Sequence, residues 1–263
     1  MKLSIVKIGG NIIDKPASLN QFLKDFSTIE GAKILVHGGG VLASELGKQL
    51  GVVPLMKNGR RVTDADTLKI VSMVYAGSIN KEIVAALQAL KVNAIGFSGA
   101  DGNLMTAKKR APEPIDFGFV GDIESVNTSL IQWLMDAGLC PVVSPIGHDG
   151  NGQLLNTNAD TISAELAIAL SDLFEVDLYY CFEKHGVLND VKQENSVINA
   201  LSFNQYETMK EKGSIADGML PKLENAFKAK KVNVNVNVWI GHASRCLLAT
   251  QGKAVGTQIL DQH

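Results

Sequence analysis

Neither sign of charge is in excess in this chain. Lys and Arg total 25 against 27 Asp and Glu in 263 residues, a formal net charge of −2. Such a balance carries no electrostatic footprint for nucleic acid or for an anionic membrane surface. Small anionic substrates stay open, because local charge decides their binding. Cysteine is scarce: Cys140, Cys181 and Cys246 are odd in number, far apart and flanked by apolar residues. No metal-ligand spacing joins them, and they read as buried free thiols in a reducing cytosol. No run approaches the ~20 apolar residues of a membrane span. The few apolar residues from Leu3 to Ile8, interrupted by Lys7, are too short for a signal peptide. The expectation is a soluble, cytoplasmic protein. No G-x-x-x-x-G-K-[ST] segment occurs, which excludes a P-loop on pattern. No proline-rich or charge-rich linker separates independent domains; a division into two lobes would fall between Leu170 and Asp177.

What the chain does have is two glycine turns, each directly after a short apolar strand. The first is Ile5-Val6-Lys7-Ile8-Gly9-Gly10 and the second Ile34-Leu35-Val36-His37-Gly38-Gly39-Gly40. β-Branched residues before the glycines suit buried strands, and an amphipathic helical pattern resumes after them. A strand that stops in glycines and restarts as a helix leaves bare backbone N–H groups at a helix N-terminus, a site for anions. Two such turns, one led by a lysine inside an apolar strand, point to a polyphosphate or a pair of anionic reactants.

Strand-like and helix-like segments alternate along the whole chain, the pattern of a mostly parallel sheet covered by helices. Strands are expected near Leu3–Ile8, Lys33–Val36, Ala94–Phe97, Cys140–Val143, Val176–Cys181 and Val232–Val238. Helices are expected near Leu19–Phe26, Val41–Leu50, Ala65–Leu90, Leu130–Ala137, Asp160–Leu170, Gln205–Lys212 and Lys222–Lys230. Asp64 and Asn158 fit as N-caps. Val53–Val62 reads as a hairpin turning at Asn58-Gly59, and Ile146–Leu155 as a second one turning at Asp149-Gly150-Asn151-Gly152.

Each candidate has a bland reading beside the chemical one. A lysine in a buried strand loses hydration and is tolerated best at the strand end facing an anion; alternatively Lys7 guards a sheet edge. Gly38, Gly40 and Ala43 fit a loose dinucleotide pattern, but the turn follows the second strand and no acidic residue closes the next one. His37 reads as structural. In Asn156-Thr157-Asn158-Ala159-Asp160, Asn158 is explained by capping, which leaves Asn156 and Asp160 free to hold substrate groups and orient a lysine. In Asp217-Gly218-Met219-Leu220-Pro221-Lys222, proline suits a first helical turn, and Lys222 is either a solvated residue or a second cation for an anionic substrate.

Taken together, Lys7-Ile8-Gly9-Gly10, His37-Gly38-Gly39-Gly40, Asn58-Gly59-Arg60-Arg61-Val62-Thr63, Asn156-Thr157-Asn158-Ala159-Asp160 and Gly218-Met219-Leu220-Pro221-Lys222 resemble the amino acid kinase family. The N-G-x-R-V-T and N-x-N-A-D segments favour its acylglutamate branch. The resemblance implies an open, mainly parallel sheet sandwiched between helices. It further implies an N-terminal lobe, residues 1–173, for the acyl amino acid and dimerisation, and a C-terminal lobe, residues 174–263, for ATP. The implied enzyme is a phosphotransferase with a carboxyl acceptor. It moves the γ-phosphoryl group of ATP to the side-chain carboxylate of N-acetylglutamate, or of a close analogue such as N-succinylglutamate, in arginine biosynthesis.

Carried over residue by residue, Lys7 and Lys222 would flank the migrating phosphoryl group and Asp160 would hold both lysines. Gly9, Gly10 and Gly39 would donate N–H groups to phosphate oxygens. Gly39, Gly40, Arg61, Asn156 and Asn158 would line the acylglutamate site, with Arg61 pairing a substrate carboxylate. Glu183, Gly186, Val187, Leu188, Ile215 and Ala216 would surround the nucleotide. Mg²⁺ would arrive with ATP, held by phosphates and water and by no dedicated protein ligands.

Two features depart from the family pattern. Glu183-Lys184-His185-Gly186 stands where an Asp-Val-x-Gly turn is usual, although the glycine and the following Val187-Leu188 persist. An N-terminal helix that links dimers into hexamers in arginine-inhibited members has no counterpart before the first strand, so a homodimer without arginine feedback is expected. Rival readings are another kinase of this fold with a different carboxylate, carbamate or phosphate acceptor, a non-catalytic sensor, and, more remotely, a dinucleotide-dependent oxidoreductase.

Overall fold

A computed structural model describes residues 1–260 apart from 58, 59, 191, 216, 234, 246, 247, 249, 252 and 254. The expected alternation of strand and helix is present. The strands are β1 (Lys2–Ile8), β2 (Ala32–His37), β3 (Leu55–Lys57), β4 (Arg60–Val62), β5 (Ala94–Phe97), β6 (Met105–Lys109) and β7 (Gly121–Val126). They continue with β8 (Cys140–Val143), β9 (Ile146–His148), β10 (Leu154–Asn156), β11 (Glu175–Phe182), β12 (Ala200–Leu201), β13 (Val236–His242) and β14 (Thr257–Ile259). The helices are α1 (Gly10–Ile13), α2 (Pro16–Ser27), α3 (Gly40–Gln49), α4 (Ala65–Val71), α5 (Asn80–Ala89), α6 (Thr128–Asp136), α7 (Ala159–Leu170), α8 (Phe203–Glu211) and α9 (Leu220–Val232).

An eight-stranded sheet runs in the order β12-β14-β13-β11-β1-β2-β8-β5. Its pairings are parallel except that β13 and β14 run antiparallel. Because β1 lies between β2 and β11, the chain leaves β1 to one side of the sheet and returns on the other. Parallel sheets bind ligands beyond the strand ends at such a reversal, and both glycine turns sit there. One buried cluster, including Leu3, Ile34, Leu166, Tyr180 and Leu223, packs on one face of the sheet, and a second, including Val6, Leu35, Phe22 and Ile83, on the other. The strands are therefore covered on both sides, as their continuous apolar runs require.

Several local expectations are met. Asp64 accepts from the backbone N–H of Thr67 at the head of α4, and Asn158 accepts from those of Asp160 and Thr161 at the head of α7. β3 pairs with β4 and β9 with β10, both antiparallel; the turn residues Asn58 and Gly59 lie outside the described residues. Cys140 and Cys181 are buried free thiols, and burial pushes the Cys140 thiol up to about 12. Cys246 lies outside the described residues.

Two expectations are corrected. The Val-Asn alternation does not form a strand from Val232: α9 runs through Val232, which is exposed, and β13 begins at Val236. Period-two alternation also fits the last turn of a helix whose outer face is polar, and only the residues from Val236 onward bury every second side chain (Val234 lies outside the described residues). The helix expected from Ala65 is a continuous run, α4 and α5 joined through a π-helical stretch at Ser72–Ile79. By length and composition alone, Ala65–Ala89 could cross a membrane, contrary to the expectation that no stretch comes near that. Here its Ile70, Val71, Val74, Ile79, Ile83 and Leu87 are buried in the core.

Candidate active site

β1 delivers Lys7 to the strand reversal, α7 delivers Asp160 in its first turn, and α9 delivers Lys222 in its own. Lys7 Nζ lies 2.7 Å and Lys222 Nζ 3.0 Å from the same Asp160 Oδ1. All three side chains are nearly sealed, at 8%, 7% and 13% exposure for Lys7, Lys222 and Asp160. The Lys222 ammonium also faces the Tyr180 ring at 5.3 Å and the Phe182 ring at 6.0 Å, which favours a cation over their faces. Tyr180 ties down the first turn of α7 by donating its hydroxyl to the Asp160 carbonyl at 2.9 Å.

The electrostatics follow from two cations sharing one anion in a dry place. Burial pushes the Lys7 ammonium down to about 8; Lys222 adds to the fall and Asp160 opposes it. For Asp160 burial works upward, but Lys222 and Lys7 outweigh it and hold the carboxyl well below the usual carboxylate range. The trio thus carries one surplus positive charge while Lys7 is protonated, an arrangement that favours an incoming anion.

Two cavities meet at this trio. One, of about 440 Å³, lies beyond β11 and is walled by Glu183, Gly186, Val187, Leu188, Ile215 and Lys222 among others. The other, of about 240 Å³, lies over α3 and is walled by Gly39, Gly40, Arg61, Asn156 and Asn158 among others. Lys7, Gly9, Gly10 and Asp160 belong to both. Every site residue expected from the sequence therefore falls on one wall or the other, except Ala216, which lies outside the described residues.

Local structure sets each wall. Gly39, at φ 152°, admits no side chain: a Cβ there would stand 2.3 Å from Ile79 Cδ1 and 3.1 Å from the Tyr75 ring. Arg61 is aimed by its Nη2, which donates to the Gly40 carbonyl at 2.8 Å and to Ser44 Oγ at 2.6 Å. Asn156 is buried and donates to Thr63 Oγ1 at 2.9 Å. Asn158 spends its side-chain oxygen on the α7 cap.

Contacts on either side hold the unusual Glu183-Lys184-His185-Gly186 turn. Lys184 pairs with Glu194 at 2.9 Å, and the His185 ring lies 5.3 Å from that of His242. Burial raises the Glu183 carboxyl, but hydrogen bonds from the Asn11 side chain and its own backbone, with the charges of Lys184 and Lys222, together hold it below the ordinary value. Gly186 must stay glycine, since a Cβ would meet Thr257 Oγ1 and Val197 Cγ1, each at 2.7 Å. His37 is structural, as expected: fully buried and pushed down to about 4 by burial. The Gly38 carbonyl accepts from Nδ1, so Nδ1 holds the proton and Nε2 accepts from Asn80.

Sequence reasoning missed Asn11, Phe182, Met209 and Met219 on the larger cavity and Arg60, Tyr75, Arg110 and Val120 on the smaller. Asn11 adjoins the first glycine pair and Arg60 adjoins Arg61, so adjacency was the one signal available. Tyr75 reaches the site because the π-helical turn sets it against Gly39.

A doubly wound sheet with two anion-facing cavities joined at a buried Lys–Asp–Lys cluster defines a phosphoryl-transfer class of protein. The amino acid kinase family model matches residues 2–242, and the chain belongs to that family. It is 50% identical over 260 residues to the acetylglutamate kinase of Cytophaga hutchinsonii, covering 98% of both chains. It is 52% identical over 234 residues to the acetylglutamate kinase of Phocaeicola vulgatus, covering 89% of this chain and 91% of that one. The solved structure of smu.665 from Streptococcus mutans UA159 shares the fold, with a TM-score of 0.79 over 99% of each chain at 24% identity.

Proposed function

We propose that this chain transfers the γ-phosphoryl group of ATP to the side-chain carboxylate of N-acetylglutamate, giving an acyl phosphate and ADP, as a step of arginine biosynthesis. The observation that carries the reading is the shared wall: two cavities, one for each reactant, meet only at Lys7, Gly9, Gly10 and Asp160. Identity near one half to the two acetylglutamate kinases, over most of their length, supports the choice of acceptor.

The acceptor carboxylate is ionised at neutral pH, so no general base is needed and His37 is not asked to be one. The difficulty is bringing one anion against another, which positioning and fixed positive charge overcome. Lys7 and Lys222 would neutralise charge on the equatorial oxygens as it spreads. Asp160 would hold both ammonium groups without binding substrate itself. Gly9, Gly10 and Gly39 would present N–H groups to phosphate oxygens, and Arg61 would hold the α-carboxylate in its fork.

Nucleotide contacts would come from Glu183, Gly186, Val187, Leu188 and Ile215, placing ATP with residues 174–263 and the acceptor with residues 1–173. Among the described residues no cluster of three or more acidic, His or Cys side chains could hold a metal. Asp160 Oδ1 is already engaged by two ammonium groups. Mg²⁺ would enter on the phosphates of ATP, where it neutralises their charge. The family resemblance supports a cytoplasmic homodimer.

The deciding experiment is ADP release from ATP with N-acetylglutamate, with capture of the acyl phosphate by hydroxylamine. ADP without a hydroxamate, or with it only from an acceptor that is not an N-acylglutamate, overturns the assignment.

A further inference from the structure

The acceptor cavity carries more positive charge than an acetylated substrate can use. Three guanidinium groups line it: Arg60, Arg61 and Arg110. N-Acetylglutamate brings two carboxylates; the reacting one belongs at the lysines, which leaves only its α-carboxylate for the arginines. Arg61 is the one anchored beside the glycine turn, through Gly40 and Ser44. Arg110 is already neutralised: its Nε and Nη2 both donate to Asp122, and its guanidinium lies 5.6 Å from the centre of the Phe117 ring.

Arg60 is different. It is half-buried, and among the described residues it has no ion pair and no side-chain hydrogen bond. Its donors face the cavity without a protein acceptor among those residues and are available to an anionic ligand group.

Nor is the acceptor cavity closed at its arginine wall. Arg60 and Arg110 also line an adjoining cavity of about 510 Å³, walled otherwise by the 111–117 segment and by Leu220, Pro221 and Glu224. The two carboxylates on that second wall do not neutralise Arg60: Glu224 pairs with Lys210, and no ion pair joins either Glu113 or Glu224 to Arg60 among the described residues. The acceptor cavity is thus continued, at Arg60 and Arg110, by a second space that shares both arginines.

We infer that the acceptor site is built for an N-acylglutamate whose acyl group itself ends in a carboxylate, and that Arg60 is the residue that binds it. A succinyl group, two methylenes longer than the amide carbonyl and closed by a carboxylate, has this chemistry. This rests on the acylglutamate kinase reading and changes only its acyl group, from acetyl to one that ends in a carboxylate. The reaction is unchanged: phosphorus moves from ADP as leaving group to the side-chain carboxylate oxygen, and the acyl carboxylate takes no part.

The test measures kcat/KM for N-succinylglutamate and N-acetylglutamate side by side, in the unaltered protein and in Arg60→Leu and Arg60→Lys. A hydrogen-bonded charge pair of this kind is worth about 10–100-fold. The unaltered protein is expected to favour N-succinylglutamate by about that factor, through KM. Arg60→Leu should bring the ratio of the two acceptors down by a similar factor, and Arg60→Lys should restore part of it. Preference for N-acetylglutamate, or an Arg60→Leu loss that falls equally on both acceptors, overturns the inference while leaving the kinase reading intact. Turnover of neither acceptor overturns both. Circular dichroism of each variant separates a lost contact from a lost fold.

Discussion

Lys7 and Asp160 stand on β1 and the first turn of α7, and their Nζ–Oδ1 separation is 2.7 Å with both side chains nearly excluded from solvent. Asp160 has a second cation on the same oxygen, Lys222 at 3.0 Å. Removing Asp160 therefore does more than lose a contact, because it leaves two buried ammonium groups facing each other. Asp160→Asn is expected to lower kcat by about 10²–10³-fold, the scale of losing one preorganised charge. Lys7→Ala and Lys222→Ala should cost at least as much with the fold retained. Near-normal turnover in any of the three purified variants would end the argument for this cluster.

The depressed ammonium of Lys7 has a kinetic signature. Burial holds it at about 8 in the free protein, and only the protonated form can neutralise phosphoryl oxygens. Since kcat/KM reports the free enzyme, it should decline as pH rises through about 8. With both substrates bound, phosphate oxygens beside Nζ favour the charged form, so the break in kcat should lie higher. In Asp160→Asn the opposing carboxylate is gone, and the break in kcat/KM should move lower. A kcat/KM profile that stays level into the ordinary lysine range contradicts the assignment.

The parts of the site that could be read from the chain are those where a local rule and a chemical need coincide. Glycine pairs ending apolar strands, Asn158 as a cap two residues before Asp160, and Pro221 starting the helix of Lys222 are all local. The convergence of Lys7 with Lys222 is not local, because it depends on β1 and α9 both packing against α7, and the resemblance to a family supplied it. β6 and β7 escaped notice because their patterns are weak. β6 ends in two exposed lysines and is interrupted by a register shift between Thr106 and Ala107, while β7 has only Ile123 and Val126 as apolar residues. Arg60 stood in the 58–63 segment without a role and Arg110 drew no reading; only the cavity they share distinguishes them.

Gly39 is the tightest point of the acceptor wall. Gly39→Ala would set a Cβ 2.3 Å from Ile79 Cδ1 at a φ of 152°. Overpacking of a well-filled core costs about 1–3 kcal/mol, and the backbone conformation disfavours any side chain as well. A lower urea midpoint and a raised KM for the acceptor are expected together. Stability equal to the unaltered protein would mean that Ile79 and Tyr75 yield freely, so that the wall is not rigid.

Asn80 fills a buried polar position with no slack. Its amide donates to His37 Nε2 at 3.1 Å and to the Val142 carbonyl at 2.9 Å, and its oxygen accepts from Lys81 at 3.1 Å. Asn80→Ala leaves the histidine nitrogen and the carbonyl unpaired in the core, at a cost of about 1–3 kcal/mol each way such groups are stranded. Denaturant titration measures it. Because His37 is neutral down to about 4, the pH–rate profile should keep its shape in this variant; a new break near neutral pH would give His37 a part in the reaction.

Arg61 separates binding from chemistry. Its Nη2 is committed to Gly40 and Ser44, which fixes the plane of the guanidinium against the acceptor cavity. A lysine keeps the charge but cannot both hold that anchor and present two parallel donors to a carboxylate. Arg61→Lys should therefore raise the acceptor KM by about 10–100-fold, the worth of a charged hydrogen bond. The α-carboxylate is held equally before and during transfer, so kcat should change far less than KM. If instead kcat falls while KM holds, Arg61 acts on the migrating phosphoryl group and belongs with Lys7 and Lys222, and the α-carboxylate must be bound elsewhere on that wall.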